Sequence, residues 1–120
     1  MLDDQFLEKL HRTYSLEELP PHPSWCARAD RPRQACATPR PDGRFTDAEH
    51  TSAVPKGPEP LLYLVRGDSA GFGIGAVEVG FLCGDAEHHW APREARAIAY
   101  ELLDVAEAAE AAQAAERVAG

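Results

Sequence analysis

The stretch that decides the fold is His22-Pro23-Ser24-Trp25-Cys26, followed by Cys36 and His50 in residues 22–50, HPSWCARADRPRQACATPRPDGRFTDAEH. Its spacing is His-x3-Cys-x9-Cys-x13-His. Two Cys and two His make a complete tetrahedral shell for zinc. Residues 20–60, which contain this stretch, carry nine of the ten prolines of the chain and few aliphatic side chains. A compact domain rarely holds so long a structureless loop without something to pin it. A structural zinc bound by His22, Cys26, Cys36 and His50 would close loops of nine and thirteen residues. Such a site supplies on the order of 10 kcal/mol of apparent folding energy. Cys83 or His88 could stand in for one of the four ligands.

At 120 residues and 44% hydrophobic, the chain is expected to form one small domain with a modest core. The net charge of −8 argues against a general nucleic-acid binder. Five arginines (Arg28, Arg31, Arg33, Arg40 and Arg44) nevertheless lie between Cys26 and His50. The N-terminus, MLDDQFLEKL, opens on acids without an apolar leader, and no stretch is apolar enough to cross a bilayer. These features predict a cytoplasmic chain with no membrane contact. Three Cys, an odd number, fit metal ligation in a reducing compartment better than a disulfide framework.

Outward from the ligand stretch, Leu2, Phe6 and Leu10 recur every four residues and predict an amphipathic helix over 2–13. Ser15 and Glu18 have capping-box spacing for a short turn over 16–19, stopped by Pro20 and Pro21. Residues 1–19 therefore read as a helical extension, and 20–120 as one α+β domain. Residues 22–50 show no helix or strand period; Asp42-Gly43 marks a turn. Strands are expected at 51–54, 61–66 and 73–83, with 67–71 as a hairpin loop and 84–89 as a polar turn. They would form a three-stranded antiparallel meander. Pro92 opens a long helix over 92–118, whose stripe Ile98, Leu102, Val105, Ala109 and Ala112 turns to alanine in its second half. The expected architecture is the meander packed on this helix, with the zinc-held loop capping one end.

The chain resembles a group of small uncharacterised actinobacterial proteins, of Streptomyces type, in a domain-of-unknown-function family. Those proteins carry a Cys-Pro-x-Trp-Cys motif, then His residues, a short β-meander and an Ala/Leu-rich helix opened by Pro. The matching residues here are His22-Pro23-Ser24-Trp25-Cys26, Cys36, His50-Thr51-Ser52 and Ala91-Pro92-Arg93-Glu94-Ala95-Arg96, so the resemblance spans about residues 20–110. His22 stands where the family has Cys, and Cys36 near an expected His. Each departure exchanges one zinc ligand for another, which is what a metal site tolerates. The resemblance implies no activity.

Other motifs carry less. Gly71-Phe72-Gly73-Ile74-Gly75 leads into a strand, not a helix, and no Lys-Ser/Thr follows, so it is read as a hairpin and not a phosphate loop. His88-His89 reads as a turn, and Cys83 has no mark of a nucleophile. A closed four-ligand zinc disfavours catalysis. The chain is therefore expected to be a non-enzymatic, zinc-stabilised protein-interaction module. Its contact residues would be Leu2, Phe6 and Leu10 on the first helix and Arg28, Arg31 and Arg33 in the loop. A nucleic-acid accessory role for the Arg-rich loop and a small metalloenzyme are the alternatives.

Overall fold

The structure is a computed structural model that describes residues 3–54, 57 and 60–119. It is of the α+β class and divides into two units, one ending at His89 and one starting at Trp90. Each is described by itself.

The first unit begins with α1 (Asp4–Leu10), shorter than the expected 2–13. Asp3 caps it, its carboxylate accepting the Phe6 N–H at 2.7 Å. Leu2 lies outside the described residues. The chain then joins the sheet: Tyr14 and Phe45 exchange two backbone hydrogen bonds of 2.7 and 3.0 Å. The Ser15–Glu18 capping box forms at least in its carboxylate half, with the Ser15 N–H donating to Glu18 Oε1 at 2.9 Å. Leu19, just before the prolines, is 1% exposed.

The sheet has six strands, not three. They are β1 (Ala37–Pro39), β2 (Phe45–Thr51), β3 (Leu61–Ser69), β4 (Gly73–Ile74), β5 (Glu78–Cys83) and β6 (Ala86–Trp90). The order is β1-β2-β3-β5-β6, with β4 paired to the far end of β3. Three expectations are corrected. The proline-rich stretch is not devoid of strands: β1 and nearly all of β2 lie in it, so the strand expected at 51–54 ends where it was to begin. Its inward residues are Ala48 and His50, small and polar, which hid the alternation. The 73–83 segment is two strands, because Gly75-Ala76-Val77 leave the ladder. The turn expected at 84–89 is only Gly84-Asp85, with β6 following; Glu87, His88 and His89 are a polar strand at the sheet edge. Between β1 and β2, Gly43 takes φ 84°, the left-handed geometry this turn demands.

Directly opposed residues of antiparallel strands share a face. His50 opposes Arg66 and Ala48 opposes Asp68, so these four lie on one face of the β2–β3 ladder. Tyr63 and Val65 lie on the other, where Tyr63 opposes Gly80. Its ring lies across this glycine so closely that a Cβ there would collide with it. The Tyr63 hydroxyl donates to Glu87 of β6 at 2.7 Å. Among the described residues, the buried apolar set is Leu19, Ala48, Tyr63, Val65 and the cysteines 26 and 36, beside buried His50 and Asp68. That is little oil for a unit of this length, and half the set surrounds a polar cluster.

The second unit is α2 (Pro92–Ala119), 28 residues long. Pro92 occupies the first helical position, as expected. The Ala91 carbonyl accepts the Ala95 N–H at 3.0 Å. Glu94 folds back to accept the Ala91 N–H at 3.2 Å, which offsets the poor capping residue. No helix among the described residues is long and apolar enough to cross a membrane.

Candidate metal centre

Three short pieces of chain deliver the ligands. The Cys26 N–H donates to the Pro23 carbonyl at 3.0 Å, a turn that brings His22 and Cys26 together. The Ala27 N–H donates to the Thr51 carbonyl at 2.8 Å, pinning that turn to the end of β2. A 3-10 turn at Arg33–Cys36 then feeds β1, and the pairing of Ala37 with Ala48 sets Cys36 beside His50 of β2. Prolines suit this job: they fix the turns without help from a core.

One ligand atom each from His22, Cys26, Cys36 and His50 lies within 4.8 Å of all the others. The two Sγ atoms are 3.7 Å apart, Cys26 Sγ and His22 Nδ1 3.8 Å, and the two Nδ1 atoms 3.3 Å. His50 is 0% exposed, and Cys26 and Cys36 are buried. The set can hold a metal ion, and all four ligands expected from the spacing meet. Cys83 is exposed and neither it nor His88 belongs to the group.

The outer contacts fix the imidazoles. His22 Nε2 donates to the Pro32 carbonyl at 2.9 Å. His50 Nε2 donates to Asp68 Oδ2 at 3.2 Å. A carbonyl and a carboxylate only accept, so each Nε2 carries a proton. In a neutral ring that leaves each Nδ1 without a proton, and the two unprotonated nitrogens lie 3.3 Å apart. A cation between them resolves the conflict, and such an N–H to carboxylate or carbonyl contact is the usual outer support of a metal-bound His. Burial holds His50 below its ordinary pKa, against the pull of Asp68, so the neutral ligand form is favoured. Burial, then the neighbouring Cys26, pushes the Cys36 thiol up, and Arg28 pulls it down. The Arg28 N–H also points at Cys26 Sγ, 3.4 Å away.

Asp68 and Arg66 are the residues sequence reading missed. Asp68 is 1% exposed. Besides His50 it accepts Arg66 Nε at 2.9 Å, Arg66 Nη2 at 2.8 Å and the Gly75 N–H at 3.3 Å. The bidentate arginine lets a carboxylate be buried at tolerable cost. Asp68 falls in the hairpin loop expected at 67–71, whereas β3 runs on to Ser69. Arg-x-Asp on one face of a continued strand was the available signal.

The expected contact residues are scattered. Phe6 faces Phe72, ring centroids 5.8 Å apart, while Leu10 is 52% exposed. The Arg33 guanidinium donates to the Leu19 carbonyl at 3.0 Å, so it ties the loop to the N-terminal segment. Arg28 lines a hollow of about 250 Å³ with Glu49, Tyr63 and Glu87. Arg31 is exposed. No protein-family model, no curated protein and no solved structure matches the chain.

Proposed function

We propose that this chain is a small, non-enzymatic protein-interaction module of the cytoplasm, its first unit held together by one structural zinc ion. The observation that carries the zinc is the spacing of the donor atoms. Zn–S bonds of about 2.3 Å and Zn–N bonds of about 2.0–2.1 Å make a tetrahedron with edges of about 3.8 Å (S–S), about 3.6 Å (S–N) and about 3.3 Å (N–N). Three of the six edges here measure 3.7, 3.8 and 3.3 Å, and all four donor atoms lie within 4.8 Å of one another. Two thiolates with two imidazoles suit zinc over magnesium or calcium, which take oxygen ligands. Four protein donors fill a zinc shell, and catalytic zinc keeps one position for water or substrate. That favours a structural ion over a metalloenzyme.

The arginines speak for a protein partner over nucleic acid. Arg33 and Arg66 hold the fold, Arg44 contacts Thr13 and Glu18, and Arg40 pairs with Asp42 at 3.6 Å. A phosphate-binding stripe needs these charges free on one face. The apolar residues of α1 that face solvent, Leu7 at 39% and Leu10 at 52%, fit a partner's apolar surface.

Elemental analysis of the purified chain tests the metal. One zinc per chain is expected, lost together with the fold in His22→Ala and Cys36→Ala; metal-free folded protein overturns the reading. Capture from native lysate tests the partner, comparing the intact chain with the double variant Leu7→Asp, Leu10→Asp. Deleting residues 1–19 would be uninformative, because it removes buried Leu19. Identical captures would remove α1 as the contact surface.

A further inference from the structure

We propose that Cys26 and Cys36 are a reversible oxidation site: a peroxide converts the pair to a disulfide, and the bound zinc leaves as it loses its two sulfur ligands. This regulation acts on the candidate metal centre and rests on the zinc reading. The two Sγ atoms are 3.7 Å apart, and a disulfide bond is about 2.05 Å long, so the sulfurs need to close by only about 1.7 Å. Both cysteines sit on turns. Cys26 closes the turn in which its N–H donates to the Pro23 carbonyl at 3.0 Å, and Cys36 ends the 3-10 turn that starts at Arg33. Turns absorb such a shift more readily than the ladder that carries His50. Cys83 is exposed and stands outside the group, so the sulfur within reach of an oxidised ligand is the other ligand. Cys36 keeps 9% of its surface open and Cys26 6%, and hydrogen peroxide is scarcely larger than water.

The chemistry takes two steps. One thiolate attacks a peroxide oxygen; the S–O bond forms, the O–O bond breaks and hydroxide leaves, giving a sulfenic acid. The second thiolate attacks that sulfur; the S–S bond forms, the S–O bond breaks and a second hydroxide leaves. The two sulfurs together give up two electrons, and one hydrogen peroxide takes them. Because the second sulfur is already in place, the disulfide forms ahead of the further oxidation that would be irreversible. Zinc binds thiolate, and a disulfide sulfur has no such charge to offer. Two imidazoles alone leave half of the zinc shell empty. The disulfide still ties the Cys26 turn to Cys36, but nothing then draws His22 to His50 of β2. Both imidazoles survive the oxidation unchanged, so a dithiol that reduces the disulfide restores all four donors.

Hydrogen peroxide added to the full chain carrying Cys83→Ser tests this, since the substitution removes an exposed sulfur that takes no part. Zinc is measured by elemental analysis before the oxidant is added, and its release is then followed with a chromogenic chelator. Intact mass and maleimide labelling of the unfolded chain report the sulfurs. The expected result is one zinc released for each chain that becomes lighter by two hydrogens and loses both labelling sites. Dithiothreitol and fresh zinc are expected to restore the labelling sites and the bound metal. Zinc that stays bound after the disulfide has formed overturns the proposal. So do two thiols that still label after peroxide, or sulfurs that gain oxygen instead of pairing. A chain without zinc before any oxidant is added sinks the metal reading itself; a zinc-loaded chain that fails the later steps sinks the oxidation site and leaves the metal reading standing.

Discussion

Asp68 is a buried carboxylate with His50 on one side and Arg66 on the other. Removing its charge while keeping its shape isolates its effect on the metal. Asp68→Asn is expected to weaken zinc affinity about 10–100-fold, measured by chelator competition, since outer-shell partners of metal-bound His are worth that much. A variant that binds zinc as tightly as the parent would show that Asp68 serves the fold alone. Tyr63 gives the pH test. Burial, and then its bond to Glu87, push its phenol above the ordinary 10.0. The folded state therefore keeps this proton where the unfolded chain has lost it, so stability is unaffected below about pH 10 and falls as pH rises beyond it. Urea midpoints from pH 9 to 11 check the slope, which should flatten in Tyr63→Phe. The four candidate ligands were legible because Cys and His are rare and their chemistry is specific. Asp68 was not, because aspartate beside glycine is the commonest turn signal and its partner lies 18 residues away.

At the scale of elements, what sequence reading found and missed follows from where apolar periodicity is strong. The core of β3 over 61–66 and the Val79–Phe81 part of β5 alternate in aliphatic and aromatic residues, and α2 repeats over 28 residues. All three were read. β2 alternates too, but its inward side is Ala48 and His50, and a strand that buries an imidazole instead of a hydrocarbon is written in polar letters. β1 is three residues long and ends in proline at the sheet edge, below the length at which a pattern can show. Two substitutions test the elements. Gly80→Ala drives a methyl into the Tyr63 ring, and a loss of about 1–3 kcal/mol is expected, the usual range for overpacking. Thermal unfolding measures it, and a neutral result would mean the ring moves freely. Glu94→Ala removes the carboxylate on the Ala91 N–H and at the positive helix end. A drop of about 0.5–1 kcal/mol in helix stability is expected, followed by circular dichroism at 222 nm.

For the molecule as a whole, the two units differ in what holds them. The first has few buried aliphatic groups and a ring of donors; the second is a helix with its own capping. A strong chelator is therefore expected to abolish amide protection across β1, β2 and the turns between His22 and Cys36, while the hydrogen-exchange pattern of α2 persists. Uniform loss across both units would contradict this division.

The small interior of the first unit has a further consequence. A unit stabilised by hydrocarbon has a stability fixed by its sequence. One stabilised by a bound ion has a stability set by its surroundings, since the bound state gains RT ln(1 + [M]/Kd). Above saturation, each tenfold fall in free zinc removes about 1.4 kcal/mol, independent of any change in the chain. On the zinc reading proposed above, zinc supply is expected to act as an external dial on how much of this protein is folded, and buffering free zinc over several decades should move its unfolding midpoint in equal steps.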